Sequence, residues 1–202
     1  FGCAGQRCLA VSLTVTVAEA RNEFTELICD AASSRVVGYG LDEGVQMGPV
    51  ISQASKENIE RLIGIGSEGG AKVCVDGRGT TIKGYENGSF VRPTVIADVQ
   101  PGSELWKTEI FGPVLAVIAY EDEEDAIRIA NDSDFGLSGS VWSASEERAL
   151  AVGLFNGGSN MGTILAPLII PPVVLAFDDW RTGFLWTFPV SLIWMVIWIR
   201  SI

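Results

Sequence analysis

Apolar positions along the first three quarters of the chain change period several times, and each change marks an element. From Val17 to Ser34 they fall near a 3.6-residue spacing at Ala18, Phe24, Leu27, Ile28 and Ala31. Glu19, Arg21, Glu23 and Asp30 are left for a wet face, which predicts an amphipathic helix. A second helix is predicted from Ser52 to Ile65, with Ser52 as N-cap and Ile59, Leu62 and Ile63 as the buried stripe. After a glycine-rich turn the period drops to two. Ala71–Val75 reads as a strand, and Thr80–Gly84 and Phe90–Val99 read as strands on either side of the turn Glu86-Asn87-Gly88. Val114–Tyr120 is a continuous apolar run, the mark of a strand covered on both faces. Glu121–Asn131 follows as a helix whose acidic first turn complements the helix dipole. Ser138–Trp142 reads as one more strand, and Ser145 as the cap of a short helix starting at Glu146. Helices and strands alternate, so this part of the chain is α/β.

The last part has no such alternation. No charge occurs from Ala149 to Phe177, and none from Thr182 to Ile199 after the break Asp178-Asp179-Trp180-Arg181. A helix over Thr182–Ile199 would rise about 27 Å, close to the ~30 Å of a hydrocarbon core. Trp180, Trp186, Trp194 and Trp198 cluster here, and Pro167, Pro171, Pro172 and Pro189 are better tolerated in membrane helices than in soluble ones. The pattern predicts a membrane-like helical hairpin through residues 149–199, with a buried helix pair as the alternative. Arg148 and Arg200 against Arg181 would leave its ends on the cytoplasmic side.

The chain has 202 residues, with 25 acidic against 14 basic side chains and a net charge of −11. Such a balance argues against a nucleic-acid surface, which needs clustered Lys and Arg. There is no histidine. Ser–His–Asp and Cys–His mechanisms are therefore excluded, together with His-ligated metal sites, and no metal site is expected. The four cysteines (Cys3, Cys8, Cys29 and Cys74) form no C-x-x-C pair. Phe1 begins mid-pattern with no secretory start, so the chain is expected to be truncated and its α/β part cytoplasmic. Gly64-Ile65-Gly66-Ser67-Glu68-Gly69 matches G-x-G-x-x-G, but a helix precedes it and a strand follows, the reverse of a dinucleotide loop. A helix C-cap and turn is the expected outcome.

Gly5-Gln6-Arg7-Cys8 carries more chemical force. A thiol beside a guanidinium and close to glycine amides has the surroundings of a nucleophile. Together with Phe1-Gly2-Cys3-Ala4 before it and Glu109-Ile110-Phe111-Gly112-Pro113-Val114 further on, this segment resembles the aldehyde dehydrogenase superfamily. Gly48-Pro49-Val50-Ile51-Ser52, Asp76-Gly77-Arg78 and Gly84-Tyr85-Glu86-Asn87-Gly88 lie between them in the matching order. The middle segments are most similar to the CoA-acylating, methylmalonate-semialdehyde branch. Phe90–Thr94 and Asn131–Gly139 look more like general aldehyde dehydrogenases.

The resemblance implies NAD-dependent oxidation of a small-molecule aldehyde through a thioester on Cys8. The substrate would be a semialdehyde acid such as malonate or methylmalonate semialdehyde, with CoA as acyl acceptor. Cys8 would be the nucleophile and its own amide part of the oxyanion site. Glu109 would hold the nicotinamide ribose, and Phe111 would pack near the ring. Arg7 is either a clamp for the substrate carboxylate or half of a structural ion pair. Members of the family are homo-oligomers whose cofactor domain, oxyanion asparagine and general-base glutamate lie mostly upstream of the nucleophile. The chain alone is therefore expected to be inactive.

The tail resembles instead the fifth and sixth helices of major facilitator sugar-acid transporters, on Phe155–Gly162, Ile164–Pro167 and Trp180–Phe184. The expected division is an aldehyde dehydrogenase catalytic-domain fragment at 1–146 and a two-helix, all-α membrane segment at 147–202. A transporter fragment carrying a dehydrogenase passenger is the competing expectation.

Overall fold

The computed structural model describes residues 1–135, 137–145, 168, 170–179, 181, 185, 192, 196 and 200. The chain divides into two units, residues 1–138 and 139–202. A mixed sheet organises the first. Its strands are β1 (Leu13–Val17), β2 (Lys72–Val75), β3 (Thr94–Ala97) and β4 (Val114–Tyr120), in the spatial order β1-β4-β3-β2. β1 and β3 run parallel to β4 on either side of it, whereas β2 pairs antiparallel with β3 at the edge.

The two-residue period of β3 and β4 sends their side chains to opposite faces. Val95, Leu115 and Val117 face α1 (Ala20–Ser33), where Phe24, Ile28 and Ala32 pack on them. Ile96, Val114, Ala116 and Ile118 belong to the larger core on the other face. That core is completed by Ile59, Leu62 and Ile63 of α2 (Gln53–Glu68), Leu105 and Trp106 of α3 (Glu104–Lys107), and Ile129 of α4 (Glu123–Asn131). Burying each such large apolar side chain contributes about 1.5–3 kcal/mol, which explains why the central run lacks polar interruptions. The helix starts are capped as their sequences suggest. Ser52 Oγ accepts from the Ser55 amide at 3.1 Å and Asp122 Oδ1 from the Asp125 amide at 2.8 Å.

Several expected elements change. The Val17–Ser34 helix begins only at Ala20, because Leu13–Val17, a run alternating with β-branched residues, is a strand paired with β4. Thr80–Gly84 forms no strand. Thr80 Oγ1 donates to the Gly77 carbonyl, Lys56 Nζ donates to the Thr80 carbonyl, and the Tyr85 amide closes a turn onto Ile82, so local bonds take the backbone. Phe90–Val99 narrows to Thr94–Ala97, after Pro93, whose ring nitrogen has no proton for a ladder. Ser138–Trp142 is exposed and joins no ladder. The G-x-G-x-x-G letters fall at the end of α2, with Gly69 as C-cap and Gly66 buried against Leu105.

In the second unit, residues 170–177 are helical. Among the described residues no helix is long and apolar enough to cross a membrane. Most of the expected hairpin, the junction at 147 and the short helix from Glu146 lie outside the described residues.

Candidate active site

The segment before Cys8 takes a backbone path that few sequences tolerate. Cys3, Ala4 and Gly5 have consecutive positive φ angles of 51°, 53° and 69°, in a 3₁₀ turn over Gly2–Gly5 closed by the Gln6 amide on the Cys3 carbonyl. Left-handed backbone is costly away from glycine, so surrounding contacts must hold it. They do so at two points. Ala4 is buried in the core, and Gly5 lies against Gly112 so closely that a Cβ on it would stand 1.9 Å from the Gly112 carbonyl oxygen. Gly112 is confined on its other side by Ile59 of α2. The Gly2–Cys8 segment and the Glu109–Pro113 segment, about a hundred residues apart in sequence, thus meet backbone to backbone.

Gln6 fastens the join. Its Nε2 donates to Ser55 Oγ at 2.9 Å and to the Phe111 carbonyl at 3.2 Å, and its Oε1 accepts from the Ile51 amide at 2.8 Å. One carboxamide ties the Cys8 loop, the start of α2 and the Phe111 segment together. Sequence reasoning passed over Gln6. Its only signal was its place inside Gly5-Gln6-Arg7-Cys8, since its three partners are far away along the chain.

Cys8 lies in the turn that the Ala10 amide closes on the Arg7 carbonyl, and it is exposed. Arg7 is exposed too, and among the described residues it has no ion pair. The structural ion-pair alternative therefore finds no partner there. In the opposing segment the residues alternate: Ile110 and Gly112 are buried, while Glu109 and Phe111 are exposed. Phe111 has φ 48°, a second strained position at the join. Cys8, Arg7, Glu109 and Phe111 are thus all presented to solvent from two segments that Gln6 and Gly5 lock together. An exposed carboxylate can accept from the two hydroxyls of a ribose and an open aromatic ring can stack on a planar base, so the chemistry of Glu109 and Phe111 is compatible with a nicotinamide nucleoside. Among the described residues no group of three or more His, Cys, Asp or Glu side chains could hold a metal ion.

Residues 1–154 match the model of the aldehyde dehydrogenase family. The chain belongs to that family. It is 42% identical over 145 residues to the mouse methylmalonate-semialdehyde/malonate-semialdehyde dehydrogenase [acylating], mitochondrial, a match covering 72% of this chain and 27% of the mouse enzyme. A malonate-semialdehyde dehydrogenase of Listeria monocytogenes is 36% identical over 186 residues, covering 91% of this chain and 37% of that enzyme. The aldehyde dehydrogenase of Mycobacterium tuberculosis, whose crystal structure is complexed with NAD+, superposes with a TM-score of 0.69 at 37% identity over 75% of this chain and 31% of its own. The chain thus spans between 27% and 37% of these relatives' length. These comparisons lend no support to a transporter origin for the tail, and the reach of the Listeria alignment carries it past residue 146.

Proposed function

We propose that residues 1–146 are the nucleophile-bearing part of a NAD-dependent semialdehyde dehydrogenase of the CoA-acylating type. The observation that carries this is the backbone contact of Gly5 with Gly112, reinforced by Gln6, which sets Cys8 and Glu109 on adjoining segments. The relatives' names supply the substrate class.

In the proposed reaction the Cys8 thiolate attacks the aldehyde carbonyl carbon, forming a C–S bond and an oxyanion that the Cys8 amide would help to hold. Arg7, exposed beside it, is placed to pair with the substrate's carboxylate through its forked donors. Glu109 would accept hydrogen bonds from the ribose hydroxyls, and Phe111 would bound the ring's position. NAD, when bound, supplies the hydride acceptor. The acyl group left on Cys8 passes to the CoA thiol, which attacks the thioester carbonyl and releases Cys8 as thiolate.

The test is an NAD-reduction assay on the chain completed upstream, with malonate or methylmalonate semialdehyde, with and without CoA. Activity that depends on CoA and is abolished in Cys8→Ser supports the proposal. Full activity in Cys8→Ser would overturn it, and activity without any CoA dependence would replace acylation by hydrolysis. The 202-residue chain alone should show no turnover, because it spans only 27% and 37% of the length of the two relatives that supply the substrate class.

A further inference from the structure

The proposed reaction uses one cysteine and leaves a pair unexplained. Cys29 projects from α1 and Cys74 from the edge strand β2, and both pack against the cluster formed by Ala32, Val95, Leu115 and Val117. The two thiols approach that cluster from the two elements that border it, α1 and β2. Both also line a single surface cleft of about 460 Å³, with Arg21, Thr25, Lys72 and Asp98 around its mouth. Each is partly buried, so the two sulfurs share an apolar floor and one opening to solvent. Cys74 Sγ is further fixed by its hydrogen bond to the Lys72 carbonyl at 3.6 Å.

We propose that Cys29 and Cys74 are an oxidisable thiol pair, a modification site for hydroperoxides whose product is a Cys29–Cys74 disulfide. A disulfide requires that the two Cβ atoms approach within a few ångströms, and the shared cluster and cleft bring Cys29 and Cys74 to one place on the surface. With hydrogen peroxide, one thiol sulfur takes an oxygen as the O–O bond breaks, becoming a sulfenic acid, and water leaves. The second thiol then attacks that sulfur: the S–S bond forms, the S–O bond breaks, and a second water leaves. Two thiols have lost two electrons and two protons to one peroxide, which becomes two waters. Burial first, and the neighbouring Cys74 second, push the Cys29 thiol up from its ordinary value. The pair is therefore slow to alkylate but still open to an oxidant small enough to enter the cleft. The bridge would tie α1 to the sheet edge, on the face away from α2 and the Gln6 contacts.

The experiment treats the reduced 202-residue chain with hydrogen peroxide, alkylates remaining thiols under denaturing conditions, and maps unreduced peptides by mass spectrometry. The expected result is a peptide linked through Cys29 and Cys74 that disappears on reduction, forms in most chains, and falls to the level of random pairing when peroxide is added in concentrated urea. Cys29→Ser and Cys74→Ser should each remove it. Recovery of both cysteines as alkylated thiols after Cys8 has been fully oxidised would overturn the proposal. So would a linked peptide no more abundant in the native chain than in urea, or linkage of Cys29 or Cys74 chiefly to Cys3 or Cys8. The wild-type chain decides the matter, so the outcome does not depend on a variant folding.

Discussion

Gly5 and Gln6 show how much of a site can rest on residues with no chemistry of their own. Gly5→Ala places a methyl carbon into the Gly112 carbonyl at a left-handed φ, and should cost upward of about 3 kcal/mol, visible as a lowered urea midpoint. Gly2→Ala, with nothing within 4 Å of the added carbon, should stay within about 0.5 kcal/mol. Gln6→Ala removes three hydrogen bonds from a partly buried carboxamide. A loss of about 1–3 kcal/mol is expected, and the Cys8 and Cys3 alkylation rates should converge as the loop loosens. In the unaltered chain, limiting iodoacetamide should label the exposed Cys8 first, with Cys3 its nearest rival, and Cys29 and Cys74 behind them. Peptide mapping reads the order, and preferential labelling of Cys74 would contradict it. Cys8 stands out as a candidate in the sequence because its neighbours in the chain mark it. Gln6 was not, because its meaning depends on Ile51, Ser55 and Phe111.

At the scale of elements, the caps and turns carry the testable charges and bonds. Ser52→Ala removes the side-chain cap of α2 and should cost about 1 kcal/mol, measured by thermal or urea unfolding. The Arg78 guanidinium beside Asp76 holds that carboxyl below its ordinary value, against a smaller opposing effect of burial. A carboxyl lowered on folding stabilises the native state above its unfolded pKa, and that stabilisation is lost as pH falls through the folded one. Unfolding midpoints should therefore drop as the solution is acidified below about pH 4, and Asp76→Asn should flatten that part of the curve. An unchanged slope in the variant would remove Asp76 from the acid response. The elements with a strong period or a clear cap, α2, β4 and α4, kept nearly their expected bounds. Leu13–Val17 was overlooked because the helical stripe beginning at Val17 masked it, and Thr80–Gly84 failed because its hydroxyl and carbonyl groups found nearer partners.

For the whole molecule, the tail gives the coarsest prediction. Fractionation of the expressed chain tests the uncharged runs at 149–177 and 182–199: a spanning hairpin would hold it in the membrane pellet until detergent, and not salt, released it. Recovery in the high-speed supernatant without detergent would rule out a spanning hairpin. For residues 1–138, periodicity was enough to determine an α/β class, the central buried strand and the faces of its helices, because burial repeats along the chain with the geometry of each element. Local wording around Cys8 and Glu109–Val114 was enough to mark the family, which the match over residues 1–154 shows. The strand order β1-β4-β3-β2, the antiparallel edge, the meeting of Gly5 with Gly112 and the placing of Cys29 and Cys74 at one cleft were decided only by the tertiary structure. These depend on which surfaces remain free once the core has closed, and pairings between residues tens of positions apart leave no periodic trace in the chain that carries them.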